Sequence, residues 1–493
     1  MKERNKWLLG AIGIFVILSS FFMFAVDRTV WFDEGFSLET VQRMHDTGVN
    51  FAEHDVHPPL YYDVLYAWML VPHGGFERFW GRFLSMLFGI AALTFIALFV
   101  EELGLDPKKY GKVLLLLATS TTLIYYGGEM RMYIMVVALA AFAMYALLKW
   151  IHTRGFWWAA GWVAALWLLP VTHYFAVFLF APFIVLQFIW LKAATDTKHA
   201  LKVGVITGGV MILSTLRAFL FYALPQINRV EQMYLPPPTL LSYLSSMFFS
   251  MHFTAENIQG WWGLALFLGF AATLVTVMWL AFRKLKEGAD DAEKAVIVML
   301  LAGALLPLLG FLGGIFQTYH HRYFLCIMWM FAFAFYFLLV DRWGKKAFAV
   351  LMLFNLVMFG VLASTPDLEM REVTKWFANE TNCTKVDLVH ETAWTYVVAE
   401  VYKREWCTSK GLPGWDDWLS TRATEAQGRS SGEDAINSSR IIRTDGYVSF
   451  KSDRPFYYLN VRQANGTRWS PASTRVVWSG DVANLTYVPG SKY

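Results

Sequence analysis

Two adjacent carboxylates, Asp33 and Glu34, sit in the stretch Trp31-Phe32-Asp33-Glu34-Gly35-Phe36-Ser37, directly after the first apolar segment. Paired carboxylates can act as a general base or as oxygen ligands to a metal ion. Downstream, His54-Asp55-Val56-His57-Pro58-Pro59-Leu60-Tyr61-Tyr62 offers in His57 a metal ligand or a donor to phosphate. Its prolines fix the backbone after His57 and stop a helix there. Arg78-Phe-Trp-Gly-Arg82 opens the next apolar run, and Tyr125-Tyr126-Gly-Gly-Glu129-Met-Arg131-Met-Tyr133 lies between two others. His173-Tyr174 and Tyr319-His320-His321-Arg322-Tyr323 also lie at ends of apolar runs. The guanidinium fork binds phosphate oxygens bidentately, so these arginines suit a phosphorylated ligand. Taken singly, each group has a plainer reading: a surface Asp-Glu pair, a solvated loop histidine, an arginine snorkelling to an interface. Taken in order, they converge on one end of a set of apolar segments.

Those segments make this an α-helical polytopic membrane protein. Of 493 residues, 56% are hydrophobic and only 16% charged, too few charges for a soluble chain of this length. Apolar runs near the length of a membrane span recur at 7–26, 79–100, 112–127, 131–150, 156–174, 175–192, 201–224, 260–282, 295–316, 322–341 and 346–363. They predict about eleven transmembrane helices. The run from Trp7 to Val26 follows a basic start but no Ala-x-Ala site follows it, so it reads as an uncleaved helix. If the N-terminus is cytoplasmic, every inside segment is basic, from Lys2, Arg4 and Lys6 through Lys108 and Lys109 to Arg342 and Lys345. The motifs then lie on the outer face. Within the first outer loop, 27–78, Phe36 to Met44 could form an amphipathic helix in the interface.

Residues 364–493 are polar and turn-rich and predict a small α/β domain. Helices are expected at Arg371–Asn379 and Thr392–Arg404, and strands at Lys385–His390, Gly446–Phe450 and Arg475–Trp478. The sequons at Asn379, Asn382, Asn437, Asn465 and Asn484 all fall here; as candidate N-glycosylation sites they place this domain outside the cell. Cys383 and Cys407 could pair in an oxidising compartment or remain two thiols.

The blocks Trp-Phe-Asp-Glu, His-Pro-Pro-Leu-Tyr-Tyr, Glu-Arg-Phe-Trp-Gly-Arg-Phe-Leu-Ser, Tyr-Tyr-Gly-Gly-Glu-Met-Arg-Met-Tyr, Thr-His-Tyr-Phe-Ala and Arg-Tyr-Phe-Leu resemble, in this order, the C-type (GT-C fold) membrane glycosyltransferases related to protein O-mannosyltransferases, glycosyltransferase family 39. The resemblance is strongest over 27–175 and extends to about 363. It implies a transmembrane glycosyltransferase domain over 1–363. It also implies inverting transfer of a monosaccharide, such as mannose, from a polyprenyl- or dolichyl-phosphate carrier to a hydroxyl acceptor on the outer face. The sequons favour an archaeal or eukaryotic source, and the larger luminal insertion of the eukaryotic relatives is not seen in this sequence, which favours an archaeal one; the expected location is the plasma membrane.

By this resemblance Asp33 is the catalytic base and Glu34 its support. Arg131, with Arg82 and Arg322, contacts the lipid phosphate; Arg78, His57, Tyr133, His173 and Tyr323 complete the substrate-binding set. In some relatives carboxylate and histidine groups near these blocks hold a divalent metal ion, a part open here to Glu129 and His57. This chain has His-Pro-Pro where some relatives have Glu-Lys-Pro. Membrane lipids are expected partners and nucleic acid is not.

Two other functions fit a polytopic chain. An oligosaccharyltransferase-like enzyme would move whole glycans, and Gly414-Trp415-Asp416-Asp417-Trp418 faintly resembles the Trp-rich acceptor motif of that family. A transporter or flippase for lipid-linked glycans should show internal repeats or helices broken at the bilayer midplane. No repeat is visible in the sequence, and the polar groups lie at one face.

Overall fold

The computed structural model describes residues 3–26, 30, 32–48, 57–74, 77–226, 260–312 and 321–364, and five strands beyond them. The chain divides into two compact units. One comprises Met1–Val26, Phe51–Leu65 and Arg82–Thr365; the other comprises Asp27–Asn50, Tyr66–Gly81 and Pro366–Tyr493.

The elements are α1 (Glu3–Ser20), which continues as a π-helical turn over Phe21–Val26, then α2 (Phe32–Thr47), α3 (Leu60–Met69) and α4 (Glu77–Glu102). Next come α5 (Pro107–Ala118), α6 (Thr121–Gly127), α7 (Tyr133–Thr153) and α8 (Phe156–Thr172). A 3-10 segment over Tyr174–Leu179 leads into α9 (Phe180–Ala194), and α10 (Thr197–Ala218) ends in a π-helical turn, Phe219–Ala223. The last helices are α11 (Gly260–Glu287), α12 (Asp291–Leu312), α13 (Leu325–Trp343) and α14 (Lys345–Ser364). Among the described residues, nine helices are long and apolar enough to cross a membrane. The chain is thus a polytopic helical membrane protein.

Two of the expected spans differ from that set. The run 156–174 forms a shorter apolar helix, Phe156–Thr172. The run 112–127 is broken at Thr119-Ser120 into α5 and α6. A helix broken among apolar neighbours frees carbonyls that water cannot satisfy, so partners must be built in. Ser120 caps α6 by accepting from the Leu123 amide at 3.3 Å, and its hydroxyl donates to the Leu117 carbonyl at 2.9 Å. Asn355, fully buried on α14, donates to the Leu116 carbonyl at 2.8 Å and to Thr119 Oγ1 at 3.0 Å. The run Thr119-Ser120-Thr121-Thr122 is the local cause, since these hydroxyls favour caps over helix interiors.

Helix α13 is the centre of the first unit: every residue from Leu325 to Val340 is buried, whereas α14 buries Asn355, Met358 and Leu362. Its far end is tied by charge. Asp341 accepts from Lys109 at 2.5 Å and from Lys284 at 2.9 Å, joining α13 to α5 and α11. Glu102 similarly takes Lys149 at 2.8 Å. Between the helices, buried polar pairs add direction to packing that apolar surfaces alone would leave loose. Gln187 donates to Thr207 Oγ1 at 3.0 Å, and Ser214 to the Leu166 carbonyl at 3.0 Å.

In the second unit, α2 begins at Phe32 and runs to Thr47, longer than the expected helix from Phe36. Asp33 and Glu34 therefore occupy a first helical turn and not a loop, where the helix dipole favours negative charge. The five strands β1 (Asp387–His390), β2 (Ile441–Arg443), β3 (Phe456–Val461), β4 (Arg475–Ser479) and β5 (Ala483–Val488) form a sheet of order β2-β1-β3-β5-β4. β1 pairs parallel with β2 and β3, while β5 pairs antiparallel with β3 and β4. β1 and β4 answer the expected strands at 385–390 and 475–478; β2, β3 and β5 go beyond the expectation. Asn484 lies in β5, opposite Asn460 of β3 and Ser479 of β4. The expected strand 446–450, both expected helices, Cys383, Cys407, Asn379, Asn382, Asn437 and Asn465 lie outside the described residues.

Candidate active site

The first unit's site begins with a close packing that only glycine permits. Phe15 of α1 is fully buried, and a Cβ on Gly89 would lie 2.4 Å from its ring, one on Gly127 2.7 Å. The bare backbones of α4 and of the α6 terminus can therefore close on the ring from both sides. That brings Ser85 of α4 to the α6–α7 turn, where its hydroxyl donates to the Glu129 carbonyl at 2.6 Å. Two residues on, the Arg131 amide donates to the same carbonyl at 2.8 Å, holding the turn tight.

Arg131 is 1% exposed, and its guanidinium spans two neighbours. Nη1 donates to Tyr62 Oη at 2.7 Å and Nη2 to His57 Nδ1 at 2.9 Å. A guanidinium has no acceptor, so Nδ1 of His57 accepts and the ring hydrogen sits on Nε2. His173 has the same arrangement from a different cause. It ends α8 and its Nδ1 accepts from the Phe175 amide at 3.3 Å, which starts the 3-10 segment and leaves the ring hydrogen on Nε2.

The residues before His57, where the prolines were expected to stop a helix, lie outside the described residues; after it the prolines lead into a helix. Pro59 accepts from the amides of Tyr62 and Asp63 and so opens α3. Tyr62 is thereby fixed one turn into a helix, facing Arg131.

Aromatic rings close the site. His57 and His173 lie 5.7 Å apart by ring centroid, Tyr133 lies 5.6 Å from His173, and Tyr323 lies 5.9 Å from His173. Arg322 places its guanidinium carbon 5.8 Å from the Tyr133 ring centre and 5.6 Å from that of Tyr323. His57, Arg131, Tyr133, His173, Arg322 and Tyr323, drawn from well-separated stretches of sequence, thus form one cluster. Arg82, 1% exposed, lies one turn before Ser85 on α4, and Glu129 is fully buried at the turn. Sequence reasoning left Tyr62 out of the binding set although it stood in the same block. It also missed Gln226, a single amide side chain at the end of a long apolar run.

The cluster is rich in cationic and N–H donors, which complements anionic oxygen. Of the pair open to a metal ion, His57 turns its Nδ1 to the Arg131 guanidinium and Glu129 is fully buried; among the described residues no three His, Cys, Asp or Glu side chains converge on a metal site.

Asp33, Glu34 and Arg78 belong to the second unit. Asp33 is 9% exposed and Glu34 fully buried, so neither is a solvated surface charge. Ser37 closes the first turn by donating to the Asp33 carbonyl at 2.9 Å. Arg78 is buried, with its guanidinium carbon 4.4 Å from the centre of the Phe79 ring. Trp68 and Trp80 stack at 4.5 Å, and each indole N–H donates to the other's carbonyl, at 2.9 and 3.2 Å. A polar cavity of about 230 Å³ runs along α2, lined by Gln42 and His45 on one face of that helix and by Tyr66, His73 and Glu77.

No protein-family model matches the sequence, and no curated protein sequence does. Solved structures do match. ArnT from Cupriavidus metallidurans, solved bound to undecaprenyl phosphate, aligns over 97% of this chain and 98% of its own, with a TM-score of 0.55 and 12% identity. The Archaeoglobus fulgidus oligosaccharyltransferase in the apo form aligns over 80% of this chain at 10% identity with a TM-score of 0.47. The chain spans 64% of that protein's length. The likeness to ArnT shows a GT-C-like fold.

Proposed function

We propose that this protein transfers one sugar from a polyprenyl-phosphate carrier to a hydroxyl acceptor, with inversion at the anomeric carbon. The observation that carries the reading is the double engagement of Arg131 by Tyr62 and His57 inside a buried ring that also holds Arg322 and His173. Burying a guanidinium is costly, and a fork held in a fixed orientation by Tyr62 and His57 matches phosphate oxygens bidentately. The whole-length likeness to ArnT, which was solved with undecaprenyl phosphate, supports a lipid phosphate as that ligand.

The chemistry is set by where charge develops. The acceptor oxygen forms a bond to the anomeric carbon as the bond from that carbon to the phosphate oxygen breaks. The bonding pair leaves on the phosphate, whose added negative charge Arg131 and Arg322 stabilise. The acceptor proton passes to Asp33, general-base catalysis worth about 10²–10⁴-fold. Glu34 supports the first turn of α2. The cavity along α2 carries amide, imidazole, phenol and carboxylate groups but no lining Lys or Arg among the described residues, which suits an acceptor's hydroxyls. Arg78 and Arg82 sit near the start of α4 as further cationic groups for the donor. The basic helix ends face the cytoplasm in this reading, and the sequon-bearing unit lies outside.

The experiment is transfer of labelled sugar from synthetic undecaprenyl-phosphate monosaccharides to endogenous acceptors in membranes containing the full-length protein. Transfer that requires both the lipid donor and Arg131 supports the reading. Binding of undecaprenyl phosphate that is as tight in Arg131→Ala as in the parent overturns it.

A further inference from the structure

Gln226 is a side chain that neither the motifs nor the reaction above uses, yet it is 3% exposed at the end of a membrane span. The π-helical turn Phe219–Ala223 lies just before it. Such a turn takes up an extra residue and rotates the next residues relative to the α-helical register. Phe221 and Leu224 stay exposed, at 71% and 47%, while Gln226 is turned inward.

Its amide is bonded at both ends. Oε1 accepts from Tyr174 Oη at 2.9 Å, and Nε2 donates to the His57 carbonyl at 3.3 Å. The assignment of oxygen and nitrogen rests on chemistry, because a backbone carbonyl can only accept. The His57 carbonyl lies before α3, which starts at Leu60, and the bond from Gln226 ties it to a different element.

We propose that Gln226 is a positioning residue for the donor phosphate: it holds the His57 backbone, and His57 in turn holds the Arg131 fork. The chain runs from Tyr174 through Gln226 and His57 to Arg131, with every link at 3.3 Å or less. Gln226 itself contacts no substrate. The inference rests on the reading that Arg131 binds the carrier phosphate.

The test is equilibrium binding of undecaprenyl phosphate to full-length protein in nanodiscs, with thermal unfolding as a folding control. Gln226→Leu is expected to weaken binding about 10-fold, the size of one lost buried hydrogen bond. In a His57→Ala background, which keeps the carbonyl but removes the ring, Gln226→Leu is expected to have no further effect. A merely structural glutamine would give the same factor in both backgrounds, and that result overturns the proposal, as does parental binding by Gln226→Leu. If Gln226→Leu does not fold, Tyr174→Phe removes only the bond that orients the amide. It is expected to weaken binding about 3-fold, and parental binding there overturns the proposal. Arg131→Ala separates the two levels. If it binds like the parent, the phosphate reading fails; if it binds weakly while Gln226→Leu does not, only the role of Gln226 fails.

Discussion

Arg131 and His57, 74 positions apart in sequence, meet at 2.9 Å between Nη2 and Nδ1 inside the first unit. The contact sets the tautomer of the histidine and, together with the bond to Tyr62, orients the arginine.

A lysine cannot reproduce that geometry, since one ammonium replaces a planar fork. Arg131→Ala is expected to lower kcat/KM for the lipid donor by about 10²-fold or more, and Arg131→Lys by less but without full recovery. Donor titrations at saturating acceptor measure this. Parental kcat/KM in Arg131→Ala would make Arg131 a packing residue.

Asp33→Asn keeps the size and most hydrogen-bonding capacity of the side chain but removes the base. Turnover is expected to fall about 10²-fold or more with donor binding nearly intact, and Glu34→Gln is expected to cost less turnover. The comparison uses single-turnover transfer with melting temperature as control. A folded Asp33→Asn protein with parental turnover would move the base to another carboxylate.

Gly89→Ala should destabilise the protein although alanine is the better helix former by about 1 kcal/mol. The added Cβ meets the Phe15 ring at 2.4 Å, and overpacking of this kind costs about 1–3 kcal/mol. Phe15→Leu in the same chain is expected to recover part of the loss. Thermal unfolding in detergent decides it: a Gly89→Ala protein as stable as the parent means that the ring moves aside freely.

Asn355→Leu leaves the Leu116 carbonyl without the amide that reaches it at the α5–α6 break. The expected cost is about 1–3 kcal/mol, the desolvation penalty of a buried unsatisfied group. Unfolding midpoints of Asn355→Leu and of the exposed control Val350→Leu, compared in one detergent, check this.

Orientation is tested by labelling. A Ser439→Cys variant should react with an impermeant thiol reagent from outside intact cells, as the basic inside segments require. Reaction from the cytoplasmic side alone would invert the topology.

Much was legible in the sequence because membrane insertion imposes one-dimensional rules. Apolar length and the placement of charge do not depend on which helix meets which, so the nine spans among the described residues fell where the runs of sequence lay. The cluster's members were legible too, because polar groups at the ends of apolar helices need a reason wherever they occur. What only the tertiary structure decided was partnership. The break at Thr119-Ser120 survives because Asn355, 236 positions away, reaches Thr119. His57 presents Nε2–H because Arg131 occupies Nδ1, and its carbonyl is met by Gln226, 169 positions away. A hydrogen bond acts over about 3 Å and has no sequence period. Which donor reaches which acceptor is therefore set by the packing of helices such as α1 against α4 and α6 around Phe15, and by nothing that a single segment carries.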